Sequence, residues 1–137
     1  MSKSNLPLRI GVGIIVLNSQ NKVFVAKRKD NPVDKWQMPQ GGVDDKEEIL
    51  EAMKRELYEE TSIKEIKVIK KLDNWYEYEL PNNLVGIIWK GKYRGQKQKW
   101  FVVRYLGQDS EIDINTQNPE FIEWKWLEID NLPSVIV

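Results

Sequence analysis

The chain has 137 residues, a length typical of one domain, and 41% of them are hydrophobic, which is enough for a sizeable core. Lys and Arg number 21 and Asp and Glu also number 21, so no overall positive field exists to hold a long nucleic-acid backbone. This balance argues against a protein that coats DNA or RNA, but it is compatible with a substrate bound only through a phosphorylated end. The chain has no cysteine and no histidine, which excludes disulfides, thiolate metal sites and catalysis by either side chain.

The first residues do not resemble a signal peptide, because no long apolar run follows their positive charge, and no apolar stretch reaches membrane-spanning length. We therefore expect a single domain over residues 1–137, monomeric and cytoplasmic, with neither a membrane nor DNA as partner. The chain ends in the apolar run Leu132–Val137. That ending favours the interpretation that a C-terminal helix is cut short.

Two strands joined by a polar turn are predicted near the start of the chain. The apolar segment Ile10–Leu17 and the alternating segment Val23–Lys27 flank the turn residues 18–21, which predicts a β-hairpin. Alternation of apolar and polar residues predicts further strands at Lys67–Leu72, Trp75–Leu80, Leu84–Lys90, Lys99–Leu106 and Phe121–Ile129. One helix among many strands predicts an α+β domain with a mixed sheet.

The single predicted helix runs from Glu47 to Thr61, where good helix formers follow one another. The preceding residues, 30–46, contain Pro, Gly and Asp and are incompatible with a regular helix. Asp44 or Asp45 is expected to cap the start of the helix.

Three glutamates crowd the end of this helix. On a helical wheel Glu56 and Glu60 form a ridge directly beside the apolar ridge that contains Met53, Glu59 flanks them, and Tyr58 points away. A solvated charge stripe would lie opposite the apolar stripe, whereas carboxylates at the margin of a core require protons, arginines or a metal ion. An ordinary charged shoulder of the helix is the structural alternative.

The loop before the helix completes a known signature. The pattern G-x5-E-x7-R-E-U-x-E-E-x-G-U, where U is a bulky aliphatic residue, is matched by Gly41, Glu47, Arg55, Glu56, Leu57, Glu59, Glu60 and Ile63. The segment Gly41–Ile63 therefore resembles the Nudix box, with one departure, because Ser62 stands where the family has glycine. The resemblance implies the Nudix fold, an α/β/α sandwich with a mixed sheet and a loop–helix motif, and hydrolysis of a nucleoside diphosphate linked to another group.

The same resemblance implies a metal site. It implies that Glu56, Glu59 and Glu60 bind Mg²⁺, with Mn²⁺ or Zn²⁺ as substitutes, and that a backbone carbonyl near Gln40 or Gly41 completes the shell. The implied reaction is attack of a metal-activated water on phosphorus. Outside the box, Glu120 is the candidate for a further ligand or catalytic base, with an ordinary loop acid as the alternative.

Three residues of the box are expected to act structurally. Glu47 and Arg55 lie one helix span apart, so they are expected to pair and to hold the loop against the helix. Gly41 begins the box and belongs to the same loop.

Four other stretches resemble the branch of the family that acts on RNA 5′ ends and on dinucleoside polyphosphates. These stretches are residues 36–42, 78–81, 95–101 and 118–126. This likeness implies removal of pyrophosphate from 5′-triphosphorylated RNA, which leaves a monophosphate end and promotes decay of the transcript. Hydrolysis of diadenosine tetraphosphate or another dinucleoside polyphosphate is the alternative.

Several cations and one tyrosine are candidates for substrate binding. Phosphate oxygens are expected to contact Arg9, Lys27, Arg28, Lys97 and Lys99. Tyr78 is expected to stack on a base, with packing in the core as the alternative for an aromatic residue. Basic residues that only improve solubility are the alternative for the loop before the Gln-Lys-Gln-Lys-Trp stretch.

The sequence gives less support to two further classes of function. A nucleotide-binding module that has lost catalysis conflicts with the intact set of three glutamates. A hydrolase of oxidised nucleotides conflicts with the Gln-Lys-Gln-Lys-Trp stretch, residues 96–100, which matches the other branch.

Overall fold

The computed structural model of the protein describes residues 5–29 and 36–132. Within these ranges the elements are β1 (Leu8–Leu17), β2 (Val23–Arg28), β3 (Gln40–Gly42), α1 (Ile49–Thr61), β4 (Ile66–Glu79), β5 (Gly95–Tyr105) and β6 (Phe121–Leu127). The strands form one mixed sheet in the order β4-β5-β1-β2-β6, with β3 paired to β1. The predicted α+β class with a mixed sheet is confirmed. No helix in the described ranges combines the length and the apolar character needed to cross a membrane.

The segment before α1 is inserted into the sheet between β1 and β2. These two strands pair at Leu17 and Val23, beside the predicted turn, and then diverge. Gln37 bridges to Ala26 of β2, while β3 pairs antiparallel with residues 11–13 of β1. The loop that leads into the helix is therefore held by backbone hydrogen bonds on both sides.

Helix α1 begins later than predicted and is not capped by Asp44 or Asp45. Its first residue is Ile49, and Glu48 precedes it without a side-chain capping bond. The two aspartates lie too far before the first turn to cap it. Instead, the backbone N–H of Asp44 donates to the Glu47 carboxylate at 2.9 Å.

The apolar face of α1 packs on one face of the sheet. Ala52, Met53 and Leu57 are fully buried there. The facing sheet residues alternate along their strands, as expected for one buried face, and include Val12, Ile14, Phe24, Phe101 and Val103. This packing fixes the rotation of α1, and so places the glutamates beside the core.

A second apolar cluster covers the other face of the sheet. It consists of Val23, Val25, Trp36 and Leu127, against which Leu132 packs. The C-terminal helix expected from the sequence falls on residues that lie beyond the described ranges.

The strand prediction was wrong in the segment after β4. Residues Leu84–Lys90 form turns and a short 3-10 helix at Ile88–Gly91, because Trp89 and Lys90 adopt left-handed backbone angles that an extended strand cannot accommodate. The two strands predicted within residues 67–80 form the single strand β4, which contains two bulges.

Strand β3 was not predicted, because a Gln-Gly-Gly segment lacks the alternation of a typical strand. Strand β5 begins at Gly95, before the predicted start at Lys99.

Candidate active site

A cavity of about 900 Å³ opens where α1, β3, β5 and the loop after residue 112 meet. A volume of this size accommodates a nucleotide. The residues predicted from the sequence that line it are Arg9, Arg28, Gln40, Gly41, Glu56, Glu59, Glu60 and Glu120. The cavity therefore brings together residues from five separate parts of the chain.

Glu60 is the most deeply buried acid of this cavity. Only 5% of its surface is exposed, and its Oε1 atom has no hydrogen-bond partner within the described part of the chain. The pKa of Glu60 is raised to about 9, chiefly by burial and also by the negative charges of Glu120 and Glu56, while the positive charge of Arg28 opposes the shift. A cation beside this carboxylate would remove the cost of its ionised form.

Glu56 is held between an arginine and the backbone of β3. Burial raises its pKa, and a hydrogen bond from Arg55 partly opposes that shift. A Cβ atom at Gly41 would overlap the Glu56 carboxylate. Glycine at position 41 therefore lets the helix approach β3 closely enough to place this acid in the cavity.

Arg55 connects the loop, the helix and the glutamates. Its guanidinium donates to Glu47 Oε2 at 2.8 Å and to Glu47 Oε1 at 2.9 Å. It also donates to the Gly42 carbonyl at 2.9 Å, to Glu56 at 2.8 Å and to Glu59 at 3.2 Å. The hydrogen bond from Arg55 lowers the pKa of Glu47 to about 2, and the same bond raises the pKa of Arg55.

Three acidic side chains do not converge on one point anywhere in residues 5–29 and 36–132. The carboxylates of Glu56 and Glu59 both accept hydrogen bonds from the Arg55 guanidinium. Glu60, Glu56 and Glu120 are nevertheless close enough for their charges to interact.

The loop that carries Glu120 is tied to the site at both ends. The backbone N–H of Asp113 donates to the Thr61 carbonyl at the end of α1, at 2.9 Å. At the other end, Arg28 Nη1 donates to Glu120 Oε2 at 3.1 Å, and the Lys29 N–H donates to the Glu120 carbonyl at 3.0 Å. Glu120 is therefore positioned beside the acids of α1, although it is 60 residues from Glu60 in a chain of 137.

The floor of the cavity is polar and mostly neutral. Gln96 and Gln98 of β5 line it, together with Gln40 and Arg9. Gln98 Nε2 donates to Gln40 Oε1 at 2.6 Å, and Arg9 Nη1 donates to Gln96 Oε1 at 3.5 Å. The two β5 glutamines were not singled out from the sequence.

Lys97 and Lys99 do not line this cavity. Alternation along β5 puts them on the same face as Phe101, which packs toward α1, whereas Gln96 and Gln98 face the cavity. Both lysine ammonium groups lie over the Trp75 ring, at 5.0 and 5.3 Å. The apolar alternation that ends in Phe101 and Val103 was the sequence signal that could have distinguished the two sets.

Lys27 and Tyr78 also lie outside the cavity lining. Lys27 forms an ion pair with Glu123 at 3.6 Å and lies over the Trp36 ring. The Tyr78 hydroxyl accepts a hydrogen bond from Gln96, so this tyrosine reaches the cavity only through the glutamine. Substrate binding by these two residues stays a prediction.

Two aromatic residues that were not predicted as site residues line the cavity. Tyr58 points away from the core, as predicted, since 53% of it is exposed, and it also belongs to the cavity lining. Trp89 comes from the segment that was predicted as a strand.

Comparisons with known proteins agree with this geometry. A family model described as the NUDIX domain matches residues 7–136. A protein of Pelagibacter ubique (strain HTCC1062) named RNA pyrophosphohydrolase is 64% identical over 136 residues, which cover 99% of this chain and 86% of that protein. A protein of Bradyrhizobium sp. (strain ORS 278) with the same name is 46% identical over 143 residues, which cover 97% of this chain and 85% of that protein.

A solved structure shows the same fold at low sequence identity. The E. coli dihydroneopterin triphosphate pyrophosphohydrolase superposes with a TM-score of 0.73 and 21% identity, covering 95% of this chain and 88% of that chain. The fold, the loop–helix segment and the match over nearly the whole length agree with one another. The chain therefore belongs to the family of Nudix hydrolases.

Proposed function

We propose that the chain is an RNA pyrophosphohydrolase, which acts in the cytoplasm and removes pyrophosphate from the 5′-triphosphate end of RNA. The product is a 5′-monophosphate end that promotes decay of the transcript. The observation that carries this proposal is the 64% identity, over 99% of the chain, to a protein of that name. Four glutamates line the cavity and form what we call its acidic wall: Glu56, Glu59, Glu60 and Glu120. The cavity supports the proposal, because this acidic wall beside Arg9 and Arg28 suits the hydrolysis of a phosphate chain.

Nudix hydrolases generally use divalent metal ions, and the acidic wall fits such an ion. A buried Glu60 oxygen without a partner in the described ranges, next to other carboxylates, is a position that a cation would stabilise. We assign Mg²⁺ to oxygen ligands from Glu56, Glu59, Glu60, Glu120 and the Gln40 backbone carbonyl, with Mn²⁺ or Zn²⁺ as substitutes. When bound, the ion supplies positive charge to phosphate oxygens and lowers the pKa of a nearby water.

The side chains of the cavity bind and orient the substrate. Arg9 and Arg28 line the cavity, and forked guanidinium groups match the non-bridging oxygens of a phosphate chain. The bond to Glu120 holds Arg28 in position. A carboxylate of the acidic wall accepts the proton of the attacking water. The anhydride bond between the α and β phosphates then breaks, the water supplies its oxygen to one product, and pyrophosphate leaves.

The test offers two substrates in parallel to the purified chain with Mg²⁺. One is a 5′-triphosphorylated RNA of a few unpaired nucleotides, and the other is diadenosine tetraphosphate. We expect a higher kcat/KM for the RNA, with pyrophosphate and a 5′-monophosphate end identified by mass spectrometry. Addition of EDTA is expected to abolish turnover.

The outcomes separate the two candidate substrates. A strong preference for diadenosine tetraphosphate would overturn the proposal in favour of dinucleoside polyphosphate hydrolysis. Release of orthophosphate alone from the RNA would contradict the cleavage position. Glu59→Gln is the inactive control, which is expected to abolish turnover with little loss of folding. It removes one carboxylate charge from the site, while the mostly exposed side chain keeps a similar size.

A further inference from the structure

One cavity residue has an unusual backbone conformation. Trp89 has φ 52° and ψ 37°, and Lys90 has φ 57° and ψ 25°, so two consecutive non-glycine residues are left-handed. Bulky residues rarely adopt this region, because the Cβ atom then crowds the backbone. Such strained positions persist where the surroundings stabilise them and are concentrated at ligand-binding sites.

Contacts from two sides hold Trp89 in place. The Arg9 guanidinium carbon lies 5.1 Å from the centre of the Trp89 ring, and the Tyr93 ring forms an edge-to-face pair with Trp89, with the ring centres 6.1 Å apart. The end of the loop is tied down next to β1, because the Arg94 N–H donates to the Pro7 carbonyl at 3.0 Å. The Trp89 ring is therefore presented to the cavity by a fixed loop.

Arg9 lies between the acidic wall and Trp89. A Cβ atom at Gly41 would overlap Glu56, and a Cβ atom at the next residue, Gly42, would overlap the Arg9 guanidinium. Arg9 is close enough to Glu56 for its positive charge to act on that carboxylate, and Trp89 packs on Arg9. A substrate whose phosphate chain lies at the glutamates would extend past Arg9 toward the tryptophan.

The lining near Trp89 suits a nucleobase better than further phosphates. Gln96 accepts a hydrogen bond from Arg9, which packs on Trp89, and the amides of Gln98 and Gln40 line the same cavity. Amide groups match the donors and acceptors on the edge of a base, and an indole ring stacks on the face of any base.

We propose that Trp89 stacks on the base of the 5′-terminal nucleotide and so distinguishes an RNA end from a phosphate chain without a base. This inference rests on the proposed function, since it assigns the part of the same cavity that recognises the nucleoside. It adds Trp89, which the sequence pattern had placed in a strand, to the residues that bind the substrate.

The test compares the wild type with Trp89→Phe and Trp89→Leu on two RNAs. One carries an ordinary 5′-triphosphorylated nucleotide, and the other carries a 5′-triphosphorylated abasic ribose at the same position. On the ordinary RNA, Trp89→Leu is expected to lower kcat/KM by about 5- to 150-fold, the range for loss of one base–aromatic stack, and Trp89→Phe to lower it less. On the abasic RNA, the three proteins are expected to have equal kcat/KM.

Trp75→Leu is the matched control. This tryptophan is also partly exposed and packed beside cations, but it lies outside the cavity lining. It is expected to leave kcat/KM unchanged on both RNAs. An equal loss in Trp89→Leu on both RNAs, or no loss on either, would overturn the stacking role.

A binding measurement separates this inference from the proposed hydrolysis. Affinity is measured for a triphosphorylated dinucleotide whose bridging phosphate oxygens are replaced by methylene groups. Weaker binding of this analogue by Trp89→Leu, with no hydrolysis of RNA by the wild type, would support the base site and overturn the hydrolysis. Hydrolysis of RNA by the wild type, together with unchanged binding of the analogue by Trp89→Leu, would support the hydrolysis and overturn the base site.

Discussion

Arg55 donates one hydrogen bond to each carboxylate oxygen of Glu47, at 2.8 and 2.9 Å. This two-point pairing joins the loop before α1 to the middle of the helix. Because Arg55 also bonds the Gly42 carbonyl and two of the glutamates, one side chain sets the distance between β3 and the acidic wall. The pair therefore contributes to the shape of the cavity without lining it.

The first prediction concerns Glu47 and acid stability. The pKa of Glu47 is lowered from 4.5 to about 2, so the unfolded chain binds a proton at a higher pH than the folded chain does. The stabilisation is complete above about pH 4.5 and is lost as the pH falls toward 2. We expect Glu47→Gln to have a lower Tm than the wild type at pH 7 and the difference to narrow between pH 5 and 3.

Calorimetry or circular dichroism melts across this pH range provide the measurement. Glu51→Gln makes the same chemical change in the first turn of the same helix and is expected to follow the wild-type curve. A Tm difference between the wild type and Glu47→Gln that stays constant with pH would contradict a stabilising pair between Glu47 and Arg55.

The second prediction concerns Glu60 in metal-free protein. Its pKa is raised to about 9, so the folded chain retains a proton that the unfolded chain releases above about pH 4.5. After chelation, the wild type is expected to lose stability progressively from pH 5 to pH 9, and Glu60→Gln to lose less. Added Mg²⁺ is expected to raise the Tm of the wild type at pH 8 and not that of Glu60→Gln.

The same substitution is expected to lower kcat by roughly 100-fold or more, because it removes a charged metal ligand. Melting curves with and without Mg²⁺, read beside kcat, distinguish loss of the ligand from loss of folding. Equal stabilisation of both proteins by Mg²⁺ would count against Glu60 as a ligand.

The third prediction compares two adjacent glycines. Gly41→Ala places a methyl group against the Glu56 carboxylate, whereas Gly42→Ala places one against the Arg9 guanidinium. We expect Gly41→Ala to lower kcat by about 100-fold, as displacement of a catalytic group by 1 Å can. Gly42→Ala is expected chiefly to raise KM. Steady-state kinetics test this, and identical effects on kcat and KM in both variants would refute it.

The fourth prediction compares two cations that the sequence pattern did not separate. Arg9 lines the cavity, whereas Lys97 faces the opposite side of the sheet over Trp75. Arg9→Ala is expected to lower kcat/KM by roughly 10- to 100-fold through loss of charged hydrogen bonds to phosphate. Lys97→Ala is expected to lower it much less. A larger loss of kcat/KM in Lys97→Ala than in Arg9→Ala would instead support the prediction from the sequence that Lys97 binds phosphate.

The fifth prediction concerns Ser62, which replaces the usual glycine of the box. Its φ is 65°, and its N–H donates to the Tyr58 carbonyl at 2.8 Å, closing the helix in the left-handed conformation. Ser62→Gly is expected to stabilise the protein by up to about 1 kcal/mol by relieving this strain. The loss of the hydrogen bond from Ser62 Oγ to the Asp113 carbonyl, 2.9 Å long, opposes that gain. A thermal melt measures the net shift, and a lower Tm would mean that the hydrogen bond dominates.

Local sequence was sufficient for the existence of α1 and for its buried face, although not for its first residue, its cap or strand β3 in the preceding loop. The 3.6-residue period of α1 placed Met53 and Leu57 in the core and the glutamates beside it, since the geometry of a helix follows from the spacing of its own residues. The same reasoning failed at Leu84–Lys90, where apolar residues suggested a strand. There Trp89 and Lys90 adopt left-handed angles, and the Trp89 ring contacts Arg9, which is 80 residues away in the sequence.

The sequence by itself determined the family signature, because it depends on spacing along one segment, and the α+β class, because it follows from one helix among many strands. Only the tertiary structure decided which face of β5 meets the cavity, since a strand has two faces and its pairing chooses between them. It also decided that Glu120 joins Glu60 and that Trp89 lies beside Arg9. Those contacts join segments far apart in the chain, and only the packing of the sheet brings them together.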